Sequence, residues 1–432
     1  MARTFCFKRR THRQTGQRMS MANPPLLTSL MNSSPAAQGA QNGPPRGLPR
    51  GPTLGWSSFQ RSQSANLPCI EDLPHTAFTT SGRAAIYQAL LQLQLPRGST
   101  VLVPSYHCPS MVAPVVLAQL KVAYFGLQAN GLPQLEAIPL STARQAQAML
   151  VSHYFGLPQS LAAVRQWCDL HHIRLIEDCA HSYFGQAGDR PVGAWGDFST
   201  ASLSKFFPVA EGGLLASNTQ AIAPLHLQPP SLTGQLKGWV DVLEASAQYQ
   251  QLPGINTALR WVFTLKKGLS TPSVAQATPA PSPEQRMMND CDMGRIRQAP
   301  GWSSRALRQL LPRARIIRNR QINYLAYAHH LAGLAGSRPL FALQPLAVAQ
   351  CAPYVFPLWV DDAERVYQSL RQLQLPVFRW DRVWPDMPTL ERDVSPGWRQ
   401  HVLQLLCHQD LSEADIAHTC LALKNLLGQP TP

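Results

Sequence analysis

From about residue 73 onward the apolar positions fall into short blocks whose period keeps changing. After the small polar segment Thr79-Thr80-Ser81-Gly82, Ile86 to Leu91 follows helical spacing. Thr100 to Val103 is a β-like run stopped by Pro104, and Met111 to Leu120 reads as a second helix. Lys121 to Phe125, Ala148 to His153 and Ile173 to Glu177 read as strands, with a helix over Leu161 to His171 before the last of them. Strand, loop and helix alternating at this spacing predict right-handed parallel crossovers. The result is a large α/β domain, residues 66–300, whose strand ends face a single crevice.

A second set of blocks predicts a smaller C-terminal α/β domain, residues 301–432, packed over the mouth of the first. It comprises one long helical pattern from Ser304 to Leu334, an almost continuously apolar strand from Tyr354 to Val360, a helix from Asp362 to Leu373 and a strand from Val377 to Trp380. Trp398 to Leu406 and Ser412 to Leu426 supply the last elements, the latter opening on a serine with an acid three residues later, a helix N-cap. Residues 219–300 form an irregular insert, read as connectors around one helix, roughly Thr257 to Lys267, with a Thr/Pro/Ser-rich stretch over 269–283.

Residues 1–65 lack periodicity and are rich in Pro, Gly, Ser, Asn and Gln, which predicts a disordered tail whose deletion leaves the fold intact. The tail also changes the meaning of the net charge of +14: no acid precedes Glu71, so a large share of the excess sits there. A second basic run, Arg305 to Arg320, looks like a helix face. Neither run carries a base-reading module, so no nucleic-acid partner is expected. The basic start is not followed by a signal-peptide core, and Pro24, Pro25 and the Gly/Pro run at 43–52 argue against an amphipathic presequence. No apolar run is long enough for a membrane span. The nine cysteines contain no CxxC pair, so neither a zinc site nor a disulfide framework is expected, and a reducing cytoplasm is the simplest compartment.

Candidate chemistry lies at three points. Thr80, Ser81, Gly82 and Arg83 open a helix, where unpaired backbone N–H groups can hold a phosphate. Asp178 ends an apolar strand, and Lys205 follows a later Ser/Thr-rich one. Each has an ordinary alternative: a capped helix, a capping aspartate, a solvated lysine. Together they match what pyridoxal 5'-phosphate needs, namely N–H groups and hydroxyls for its phosphate, a carboxylate for its ring nitrogen and an amine for its aldehyde.

Three stretches in this order resemble the DegT/DnrJ/EryC1/StrS aminotransferases: Thr80 to Ala85, Glu177-Asp178-Cys179-Ala180-His181, and Lys205 to Gly213, KFFPVAEGG. The resemblance implies a fold-type-I pyridoxal-phosphate transferase that works as a homodimer. It makes Lys205 the Schiff-base lysine and acid/base catalyst and pairs Asp178 with the ring nitrogen. His181 would lie near the phenolic oxygen, and Gly82 and Arg83 would offer amides to the phosphate. Thr200 or Ser202 would add a hydroxyl, the two remaining open. The family places an aromatic ring near Cys108, so Tyr106 or His107 are candidates for stacking on the cofactor. Asn289, Arg295 and Arg305 are candidates for a phosphate contact from the partner subunit. The implied reaction moves an amino group from an amino acid, glutamate by resemblance, to a keto-sugar attached to a nucleotide. The alternatives are a non-sugar carbonyl acceptor or an inactive regulatory or scaffolding relative. Dehydrating relatives carry histidine in place of the lysine, which Lys205 disfavours.

Overall fold

The computed structural model describes residues 47–62, 66–268 and 282–428. Most of the 269–283 connector and residues 1–46 and 63–65 of the expected tail therefore lie outside the described residues.

The changing periodicity of the first half becomes β1 (His75–Thr79), α1 (Gly82–Gln92), β2 (Thr100–Pro104), α2 (Pro109–Leu117), β3 (Lys121–Phe125), α3 (Leu140–Gln145), β4 (Ala146–Ser152), α4 (Ala162–Leu170) and β5 (Arg174–Asp178). A short hairpin, β6 (Gln186–Ala187) and β7 (Arg190–Pro191), leads to β8 (Phe198–Ser202) and β9 (Gly213–Ser217). Seven of these strands form one sheet in the order β1-β9-β8-β5-β4-β2-β3. Only β9 runs against its neighbours; the contiguous set β8, β5, β4, β2, β3 is parallel. The central strands read as unbroken apolar runs because both faces are covered: Val101, Leu102, Val103, Leu150, Leu175 and Ile176 are all buried. The chemistry predicted at the strand ends is thereby carried to one edge of a rigid sheet.

The insert contains more helix than its sequence suggests. It holds α5 (Leu232–Gln248), α6 (Asn256–Gly268) and α7 (Pro283–Asp290). Only α6 was expected. Two internal glycines, Gly234 and Gly238, weaken the helical signal of α5, while Ser231 caps it through the Gly234 amide. The single long helix expected over 304–334 is two, α8 (Trp302–Leu310) and α9 (Arg313–His330). Pro312 divides them, since proline donates no hydrogen bond and pushes Leu311 into extended backbone.

The C-terminal part adds β10 (Ser337–Pro339), α10 (Pro345–Val348), β11 (Val355–Val360), α11 (Ala363–Gln372), β12 (Val377–Phe378), α12 (Ser395–His401), β13 (Val402–Leu406) and α13 (Glu413–Leu427). Its strands form an antiparallel sheet in the order β10-β11-β13-β12. One continuous apolar core joins both sheets, from Leu102 and Met149 through Phe206 and Tyr354 to Leu405 and Ile416.

Residues 47–62 depart from the expected tail. Leu48 N–H donates to Gln374 O at 3.0 Å, Thr53 N–H to Asp410 Oδ2 at 3.1 Å and Trp56 Nε1–H to Pro253 O at 3.1 Å. Low apolar content hid this strap, because it docks through backbone groups and a few anchors such as Leu54, 7% exposed.

Candidate active site

The carboxyl ends of β2, β4, β5 and β8 open into a cleft of about 290 Å³, lined among others by Ser81, Gly82, Arg83, Cys108, Asp178, His181, Ser202 and Lys205. That is close to the lower end of the volumes usual for small-molecule sites.

Asp178 is the last residue of β5. Its Oδ1 accepts the Ala180 N–H at 2.9 Å, which turns the chain sharply and fixes the carboxylate at the sheet edge. Burial pushes its pKa up, and the ammonium of Lys205 pulls it back. Burial likewise pushes the Lys205 amine down, with Asp178 opposing. Lys205 ends a short 3-10 turn immediately after β8, its Nζ 5.3 Å from the centre of the Tyr354 ring. On its C-terminal side Phe206 and Phe207 are fully buried, anchoring the turn. Beneath it, the fully buried guanidinium of Arg320 donates to Lys205 O at 2.5 Å and stacks over Phe206. A lysine held through its own backbone in this way can swing its amine without moving its α-carbon.

His181 Nδ1 accepts the Phe155 N–H at 3.3 Å, which leaves Nε2 to carry the proton of the neutral ring. Burial, and then Lys205, hold its pKa well below the usual value, so the ring is a neutral donor. It is wedged between Tyr354 and Trp380, with centroids at 4.4 and 4.9 Å.

The opposite end of the cleft is the start of α1. Ser81 caps the helix by accepting the Ala84 N–H at 3.2 Å, leaving Gly82 and Arg83 amides without intrahelical acceptors. A β-carbon on Gly82 would meet Ser202 Cβ at 3.4 Å, so the helix end approaches β8 about as closely as side chains permit. Ser202 and Ser204 line the cleft, whereas Thr200 is fully buried, is not among the lining residues and has no partner for its Oγ1. The structure thus separates two hydroxyls that spacing left open.

Neither aromatic candidate faces the cleft. Tyr106 is fully buried among Tyr154, Trp380 and Trp398. His107 is spent on Pro104 O and Trp384 N–H and lies parallel to Tyr124. Cys108 itself lines the cleft, its Sγ 3.1 Å from Ser110 Oγ. The aromatic surface comes instead from Tyr154 and Trp380, which sequence reasoning did not single out. Of the three candidates for a partner contact, Arg295 lines the cleft of its own chain; Asn289 and Arg305 do not line it.

Behind the cleft a second carboxylate, Glu177, is completely buried. It accepts the N–H groups of Gly193, Trp195 and Gly196 at 3.1, 2.5 and 2.6 Å and lies 2.9 Å from His153 Nε2. Cys179 lies within reach of both, but Glu177 is saturated by these donors and burial pushes the thiol far up, so the trio is not set up as a metal site.

The residues fit pyridoxal phosphate on the chemistry of the donor set: an amine, a buried carboxylate, and amides with hydroxyls at a helix N-terminus. The fold is that of the fold-type-I aminotransferases. An aminotransferase from Psychrobacter cryohalolentis superposes with a TM-score of 0.56 at 15% identity, over 83% of this chain and 88% of that one. Residues 71–232, which supply most of the side chains lining the cleft, match the model of the DegT/DnrJ/EryC1/StrS aminotransferase family. GDP-perosamine synthase of Vibrio cholerae is 25% identical over 174 residues, 39% of this chain and 47% of that protein. L-glutamine:2-deoxy-scyllo-inosose aminotransferase of Micromonospora echinospora is 27% identical over 176 residues, 40% and 42%. In these matches the chain spans less than half the length of either curated relative.

Proposed function

We propose that the protein is a pyridoxal-phosphate-dependent aminotransferase that moves an amino group from an amino acid, glutamate being the first donor to test, to a nucleotide-linked keto-sugar. The observation that carries this reading is the placement of Lys205 and Asp178 in one cleft, where each favours the charged form of the other against burial, with the open end of α1 completing the cradle. When bound, pyridoxal phosphate supplies an aldehyde that condenses with amines and a ring that absorbs carbanion charge. Lys205 Nζ would hold the aldehyde and, once released, would carry a proton as acid and base, a role its lowered basicity suits. Asp178 would accept a hydrogen bond from the protonated ring nitrogen, and His181 Nε2–H would donate toward the phenolic oxygen. The Gly82 and Arg83 amides and the Ser202 hydroxyl would hold the phosphate, with Trp380 forming part of the cleft wall.

The sugar-nucleotide acceptor is supported by the name of the Vibrio cholerae relative. A homodimer is supported by the row of exposed apolar side chains Leu232, Leu236 and Trp239 along α5. The cysteines among the described residues are free thiols, which suits a cytoplasmic location.

The test starts with purified protein and added pyridoxal phosphate, read by visible absorbance and by borohydride reduction followed by peptide mass spectrometry. A pyridoxyl group on Lys205, lost in Lys205→Ala, and its conversion to the amine form by an amino donor are the expected results. Absence of label at Lys205 in the unmutated chain overturns the cofactor reading. A labelled protein that aminates only carbonyl compounds without a sugar overturns the acceptor.

A further inference from the structure

We infer that Arg320, together with Gln409, is a positioning residue for Lys205: the two side chains lock the backbone from which the amine reaches the cofactor. This rests on the pyridoxal-phosphate reading above and concerns the condensation of Lys205 Nζ with the aldehyde, which releases one water. The short turn that ends at Lys205 closes on Leu203 O, which accepts the Phe206 and Phe207 N–H groups at 2.9 and 2.8 Å. The carbonyls of Lys205 and Phe206 are taken by side chains instead. Lys205 O accepts from Arg320 Nη2 at 2.5 Å, and Phe206 O from Gln409 Nε2 at 2.8 Å. Arg320 Nε in turn donates to Gln409 Oε1 at 3.0 Å. Three bonds thus join two successive carbonyls in one closed ring, and turning either peptide breaks it.

The remaining arm of the fork, Nη1, donates to Pro353 O at 3.2 Å. Pro353 precedes Tyr354, whose ring lies against His181 and 5.3 Å from Lys205 Nζ. That segment is itself fixed: Tyr354 N–H donates to Phe155 O at 2.9 Å, and a β-carbon on Gly156 would stand 2.1 Å from Tyr354 N. One planar guanidinium therefore sets the lysine backbone and the wall its amine faces relative to each other.

The chemistry of Arg320 exceeds what core packing requires. Its side chain is fully buried, and its partners among the described residues are oxygens of neutral groups. Asp410, whose charge acts on it, is bound to Arg315 at 2.8 Å. Burial pulls the guanidinium pKa down to about 10, so the cation is kept there against its own desolvation. An apolar side chain would avoid that cost but would leave the three oxygens without donors. A lysine would bring the charge without the fixed plane.

The experiment compares the unmutated protein with Arg320→Lys and Gln409→Met, each first shown by denaturant titration to fold. Pyridoxal phosphate, which condenses with Lys205, is set against pyridoxamine phosphate, which carries an amine in place of the aldehyde and cannot condense. Both are titrated by calorimetry, and the rate of condensation is read by trapping the Lys205 adduct with borohydride and peptide mass spectrometry. In either variant pyridoxal phosphate is expected to bind about 10-fold more weakly and to label Lys205 about 10-fold more slowly, with pyridoxamine phosphate changed by no more than about twofold. A second readout uses no cofactor: the pH profile of reductive methylation of Lys205 by formaldehyde. Loosening the turn admits water, so the profile is expected to move up toward the ordinary lysine value, since burial is what holds it down. Equal weakening of the two ligands overturns the inference, because that reports a damaged cleft, and so does an unshifted profile in both variants. If the unmutated protein takes up neither ligand, the cofactor reading fails, and the methylation profile alone decides whether Arg320 positions the amine. If Arg320→Lys does not fold, Gln409→Met decides by the same criteria.

Discussion

His107 and His408 each use one ring nitrogen as donor and the other as acceptor: His107 with Pro104 O and Trp384 N–H, His408 with Pro49 O and Asp410 N–H. Only the neutral ring can do both, and burial accordingly lowers them from 6.5 to about 4 and about 3. Below the ordinary value the unfolded chain takes up protons that the folded one refuses. Stability is therefore full above pH 6.5 and falls as pH drops toward 4, by on the order of a few kcal/mol for each ring. Urea midpoints measured from pH 7 down to 4.5 should decline, and His408→Gln should flatten the slope; a flat profile in the unmutated protein would contradict this. A second prediction separates Thr200 from Ser202. Thr200→Val removes a buried hydroxyl without a partner and should leave stability equal or higher and cofactor affinity unchanged, whereas Ser202→Ala should lower affinity severalfold. The reverse result would return the phosphate contact to Thr200. Asp178, His181 and Lys205 were legible because an acid at a strand end and a lysine after a later strand are local patterns. The choice between two hydroxyls two residues apart was not, since spacing carries no depth, and Trp380 was hidden because only tertiary packing brings it to the cleft.

At the scale of elements, the junction of β9 with α1 is the least forgiving. A β-carbon on Gly213 would stand 2.1 Å from Ser81 O and 2.3 Å from Ser81 C, both backbone atoms of the cradle. Neither can retreat without unseating the cap of α1. Gly213→Ala should cost about 3 kcal/mol or more and weaken cofactor binding with it, measured by denaturant titration and absorbance. A variant of ordinary stability and affinity would mean that the cradle is softer than its geometry. The crossovers from β2 to β5 were readable because strands buried on both faces write themselves as apolar runs. The insert was not: α5 carries glycines inside it, and α7 is short and polar, with helical character that rests on the Ser282 capping box more than on an apolar stripe.

The basic character of the chain looks different once the molecule is assembled. Arg308 and Arg313 close on Glu71, and Arg315 on Asp410 at 2.8 Å, so the run that reads as a basic helix face joins α8 and α9 to the N-terminal strap and the start of the large sheet. Asp410 stands at the centre of this arrangement, buried, bound to Arg315 and accepting the Thr53 N–H. Arg50 lies 4.3 Å over the Phe378 ring, and Pro49 O accepts the His408 Nε2–H. Composition assigned residues 47–62 to the tail because a strap of prolines and glycines carries no period; its contacts are made across the whole length of the chain, where local pattern has no reach. A chain beginning at residue 66 should therefore melt below one beginning at residue 47, by about 5 °C or more, as Asp410 and His408 lose their partners and Leu54 its burial. Because Gln409, between those two, holds Phe206 O at 2.8 Å beside the lysine, the shorter chain should also bind pyridoxal phosphate more weakly. Equal melting temperatures would show that the strap rests on the surface without supporting it; a lower melting temperature with unchanged affinity would confine its role to stability.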